Sequence, residues 1–87
     1  MSKRLTLRSF PTVAACCAAI DTLHAEFKRE FKRSATVSLC YSLLATPDPL
    51  ADKPYYTKDI HSVSIHADDP LKQAAEIAWF ERMVNTL

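Results

Sequence analysis

The chain has 87 residues, the size of one domain, and no glycine, where average usage would supply roughly six. That excludes the P-loop, the dinucleotide-binding fingerprint, the EF-hand loop and the G-x-S-x-G elbow, each of which needs a residue without Cβ for positive φ or close backbone approach. With 48% hydrophobic and 24% charged residues it is a globular sequence with a small core, and a net charge of +1 gives no whole-molecule pull toward nucleic acid or membrane.

Lys3–Ser9 alternates, with Leu5 and Leu7 on one face and Arg4, Thr6 and Arg8 on the other, which predicts a half-buried strand ended by Pro11. Thr12 is a good N-cap for a long amphipathic helix over 13–33. Its apolar stripe is Val13, Cys16, Cys17, Ile20, Leu23, His24, Phe27 and Phe31. The last turns hold a tandem repeat, Glu26-Phe27-Lys28-Arg29 and Glu30-Phe31-Lys32-Arg33. Because four residues advance a helix by only about 40° beyond one turn, each residue type forms a short column. The phenylalanines prolong the core stripe, and Lys28, Arg29, Lys32 and Arg33 form a basic ridge.

Residues 35–44 alternate almost perfectly, with Val37, Leu39, Tyr41 and Leu43 inward and Thr36, Ser38, Cys40 and Ser42 outward, a second strand. The stretch 45–54 contains Pro47, Pro49 and Pro54 and is expected to be a stiff loop. A third strand over 55–66 changes parity between Tyr56 and Ile60 on one side and Val63 and Ile65 on the other, and a bulge near His61–Ser62 would reconcile them. Asp68, Asp69 and Pro70 announce a second helix over about 69–86.

The order is therefore β-α-β-β-α. The expected fold is α+β, a two-layer sandwich in one domain over 1–87. A hairpin of strands two and three, joined by strand one through a right-handed crossover, forms a three-stranded sheet with both helices on one face. With no Asn-Gly or Asp-Gly turn, the proline-rich loop closes the hairpin, and its length makes it a further place for a partner.

Two surfaces ask for more than packing. The second helix has a narrow face of Leu71, Ala74, Ala75 and Ala78, suited to close packing, and a second arc of Trp79, Phe80, Met83, Val84 and Leu87. Either the helix lies between the sheet and the first helix and both arcs are core, or the second arc is a homodimer contact or partner-binding surface. The outward sheet face, with Arg4, Arg8, Thr6, Thr36, Ser38, Ser42 and Tyr55 or Tyr56, is either a solvated face or a nucleic-acid platform, although the glycine-containing RNA-binding pattern is missing.

Residues 1–33 carry seven basic and three acidic groups, and residues 34–87 four and seven, so the molecule has a basic and an acidic end. Three cysteines, Cys16, Cys17 and Cys40, two of them adjacent, are not a disulfide framework and point to a reducing, cytoplasmic compartment. The N-terminus loosely imitates a secretion signal, but Arg8 and Pro11 interrupt it. No run is long enough to span a bilayer.

Catalytic and metal-binding patterns are weak. His61 and His66, five apart on a strand, point to opposite faces, and Cys16 and Cys17 diverge by about 100° on the helix. Asp59 and His61 can meet on one strand face, but no nucleophile has a motif around it. The expectation is no enzyme, no metal and no cofactor. It is a small protein-binding module acting through Lys28, Arg29, Lys32, Arg33, Trp79, Phe80, Met83 and Leu87. Size and coarse architecture alone are shared with phage-type inhibitors and regulators of host complexes, including anti-CRISPR and anti-restriction proteins. The alternative is a nucleic-acid-binding module using Arg4, Arg8, Lys28, Arg29, Lys32 and Arg33.

Overall fold

The computed structural model describes residues 2–47 and 57–87. The elements run β1 (Lys3–Phe10), α1 (Val13–Phe31), β2 (Ser38–Pro47), β3 (Thr57–Ala67) and α2 (Ala74–Val84). The predicted order holds, and the fold is α+β with both helices on one face of a three-stranded sheet. The strand order is β1-β3-β2, with β3 antiparallel to both neighbours. The last strand therefore lies between the first two, and β1 and β2 are the edges among the described residues.

That central place explains the parity change in β3. Val63, Ile65 and Ala67 lie under the helices, while Ser62 and Ser64 are buried on the open face between neighbouring strands. There Ser62 bonds Ser9 at 3.2 Å and Ser64 bonds Ser42 at 2.9 Å. Ile60 faces outward opposite Leu44, so no bulge is needed at His61–Ser62. The β2–β3 register runs unbroken from Ser38↔His66 to Pro47↔Thr57. β2 thus extends three residues into the stretch expected to be loop; the rest of that stretch, with Tyr55 and Tyr56, lies outside the described residues.

The bulge is in β1 instead. Thr6 pairs with Ser64 and Arg8 with Val63, which leaves Leu7 as the extra residue. This turns Arg8 from the expected open face to the helix side. Its Nη1 donates to the carbonyls of Val84, the last residue of α2, at 2.9 Å and of Leu87, just past it, at 2.8 Å, and its guanidinium lies over the Phe10 ring. A cation at a helix C-terminus suits both the unpaired carbonyls and the macrodipole.

α1 begins at the expected cap: Thr12 Oγ1 accepts from the Ala15 amide at 3.1 Å. It stops two residues early, at Lys32, which adopts φ 59° and donates its N–H to the Lys28 carbonyl. This left-handed position is where glycine usually sits; the side chain of Lys32 costs about 1 kcal/mol there. The buried stripe is Cys16, Ala19, Leu23 and Phe27, while Cys17 and His24 lie on its exposed flank.

α2 starts later than expected. Asp69 organises a separate turn: its carboxylate accepts from the Lys72 amide, and the Gln73 side chain accepts from the Asp69 amide. The helix also settles the competition between its two faces. Trp79 (4% exposed) and Phe80 (0%) are core with Ile77 and Val84, whereas Leu71 is 92% exposed and Ala74, Ala75 and Ala78 face solvent. Fully burying a large side chain stabilises by roughly 1.5–3 kcal/mol, far more than an alanine face offers, so the aromatic arc wins the core. Phe27, Phe31, Trp79 and Phe80 pack together, with Phe27 and Phe80 stacked at 5.3 Å. No helix among the described residues is long and apolar enough to cross a membrane.

Candidate functional site

With Trp79 and Phe80 in the core, the expected binding arc is not a surface; Met83 is half-buried and only Leu87 is substantially exposed. Both arcs are not core, as one reading had it: one is buried and the other is solvated.

The basic ridge is divided by its partners. Arg33 lies over the Phe27 and Phe31 rings, at 5.2 and 5.8 Å, and its Nη1 is 3.9 Å from the Glu76 carboxylate. Arg29 pairs with Glu26 on the same helix. Lys32 forms the left-handed cap. Lys28 alone lines a concave surface. The acidic residues of the repeat also divide, since Glu30 accepts a 2.6 Å hydrogen bond from the Trp79 indole and so ties α1 to α2.

The six basic residues of the nucleic-acid alternative do not share a surface. Arg4 lies on the open sheet face, where it donates to Ser42 Oγ at 2.8 Å. Arg8 is folded onto α2 on the opposite face, Lys28 and Arg29 lie in the last turn of α1, and Lys32 and Arg33 follow at its cap and just beyond it.

The concave surface is a groove of about 570 Å³ between α1 and the segment leading into β2. His24, Ala25, Phe27 and Lys28 form the helical wall, and Ser34, Ala35, Val37, Ser38 and Leu39 the other. Local sequence explains the space: Ala25, Ser34, Ala35 and Ser38 are small, so the helix and the strand do not close on each other. A polar clasp holds the segment in place. Glu76 accepts from the Thr36 amide at 2.7 Å and the Thr36 hydroxyl at 2.6 Å, and Gln73 Nε2 donates to that hydroxyl. The groove has an apolar floor and two basic groups, His24 and Lys28, with no carboxylate among its lining residues. A smaller groove, about 280 Å³, lies between β1 and α2 and includes Glu81.

Sequence reasoning found Lys28 but missed the rest of this groove. The small residues at 25, 34, 35 and 38 are visible in the sequence; that β2 is an edge strand, and that they therefore face an opening, is not.

At the other end of the helix-covered sheet face, Tyr41 and His61 stack at 5.9 Å and share a 2.7 Å hydrogen bond between the phenol and Nδ1. Burial, and then the nearby Cys16, Asp59 and Cys17, raise Tyr41 above the ordinary tyrosine range. Burial, helped by Cys17, also pushes the Cys16 thiol up. Both groups are therefore held protonated at neutral pH, the opposite of what an activated nucleophile requires. Among the described residues no three His, Cys, Asp or Glu side chains converge to hold a metal ion.

Compared with protein-family models, curated proteins and solved structures, the chain matches none.

Proposed function

We propose that this chain is a non-catalytic protein-binding module whose contact surface is the groove between α1 and β2. The observation that carries the reading is the groove itself: an apolar floor beside an edge strand, with Lys28 and His24 on its rim. Apolar contact area with a charged rim is the usual anatomy of a protein interface. The scattering of Arg4, Arg8 and the α1 cations over separate surfaces weighs against a nucleic-acid module, which needs its charges along one phosphate track. In so small a chain, such a surface suits a regulator or inhibitor that acts by occupying part of a larger complex.

The test is site-directed photo-crosslinking in cells of the source organism. A benzophenone amino acid replaces either Ala25, in the groove, or Leu71, on the far side of α2. Discrete protein adducts from position 25 and none from position 71 are expected. Nuclease-sensitive adducts at position 25, or identical adducts from both positions, would sink the reading.

A further inference from the structure

We infer that the groove takes an extended acidic segment of another protein, added as a fourth strand along the free edge of β2; this rests on the reading of the groove as the contact surface. Three observations point to it. First, β2 pairs with β3 on one side only among the described residues, so its other side presents unpaired N–H and C=O groups. Second, this edge has none of the usual protection: Ser38–Pro47 carries no charged residue and keeps unbroken register, and its one proline stands at the far end. An edge left open beside a concavity is what strand addition uses. Third, charge selects the occupant. A strand laid about 4.8 Å beyond β2 sends alternate side chains under α1, toward Lys28 and His24, where no carboxylate of the groove meets them. Acidic residues where the incoming segment passes Lys28 and His24 fit that side, and small or apolar residues fit the other, beside Cys40 and Leu44.

The experiment uses the full chain and four fluorescent probes. These are the peptide (Val-Glu)4, its counterpart (Val-Lys)4, a (Val-Glu)4 peptide N-methylated at every residue, which leaves no amide hydrogen on either edge, and the oligonucleotide dT15. Anisotropy gives affinity, and amide hydrogen exchange reads β2. The acidic peptide is expected to bind about tenfold or more tighter than the basic one. It should slow amide exchange within residues 38–44. The N-methylated peptide keeps the charge but cannot pair along its methylated positions, and should bind at least about tenfold more weakly. Lys28→Glu, at an exposed position, should leave the circular dichroism unchanged and reverse the preference between the two charged peptides.

Strand addition is overturned by equal binding of the methylated and unmethylated peptides. It is also overturned by preference for dT15, or by a peptide-independent dimer in sedimentation that already protects β2. If it fails while position 25 still yields protein adducts, the groove remains the contact surface and only the mode of binding is wrong. If those adducts are also missing, the wider reading fails with it.

Discussion

The β1 edge carries Lys3, Arg4 and Arg8, is bent by a bulge at Leu7, and has beside it a groove of about 280 Å³ that includes Glu81. The β2 edge has ten residues without a charge, unbroken pairing to β3, and a groove twice as large with a basic rim. Charge and a bulge are the devices by which sheets discourage pairing with other chains. One edge is thus closed to further strands and the other is open. The contrast separates two uses of basic residues. Arg8 is spent inside the molecule, tying β1 to the end of α2, whereas Lys28 stands at the rim of an opening. A basic residue in the sequence does not say which of these it does.

Four measurements test that contrast. The largest effect belongs to what braces both edges. Trp79→Ala removes the packing between α1 and α2 and the indole bond to Glu30, and urea unfolding should show a loss of about 3–5 kcal/mol. If Trp79→Ala keeps its stability and instead changes the oligomeric state, the residue is an interface residue and the core assignment is wrong.

Next comes the closed edge. Arg8→Ala should cost about 1.5–3 kcal/mol, because two carbonyls at the end of α2 lose a charged donor. Arg4→Ala, which loses one exposed bond to Ser42, should cost no more than about 1 kcal/mol. Equal costs would show that the bulge does not set Arg8 apart.

The open edge depends on the clasp at its start. Glu76→Gln keeps the shape but replaces one of the two oxygens that accept from Thr36 with a donor, so a loss of about 1 kcal/mol is expected. The Thr36 amide should exchange faster, with β1 amides unchanged. Faster exchange throughout the sheet would mean that the clasp serves the whole fold rather than the groove.

The smallest effect lies at the covered end of the sheet. The folded state raises the Tyr41 pKa, so its contribution is complete below the ordinary tyrosine range and declines as pH rises through it. Stability followed from pH 8 to 11 should fall less steeply for Tyr41→Phe than for the wild type, and parallel curves would contradict this.

Much of the architecture was legible in the sequence because it rests on local rules. Thr12 caps α1 because a hydroxyl before an apolar run meets an orphan amide, and 38–44 is a strand because its alternation matches the pleat, although residues 35–37, expected in the same strand, precede it. What could not be read required neighbours. β3 reads as irregular because alternation assumes polar residues out and apolar residues in, whereas Ser62 and Ser64 are buried on the open face between neighbouring strands and Ile60 faces outward; the extra residue sits at Leu7 of β1, not in β3. The alanine face of α2 looked like packing surface because small residues permit close approach, but nothing in the sequence says that a heavier arc will compete for the same core. The candidate site was half legible: Lys28 stood out in the repeat, while Ala25, Ala35 and Val37 became a groove only beside an edge.

The amino-acid sequence by itself determined the element order, the cap of α1, the place of Phe27 on its core stripe and the exclusion of glycine-dependent motifs, since these follow from side-chain chemistry within a few turns or residues. The tertiary structure decided that β3 runs between β1 and β2, which face of α2 is buried, where Arg8 points and which edge is open. Those depend on competition among distant segments for one small core, and such a competition is settled by total buried area and strand pairing rather than by any local pattern.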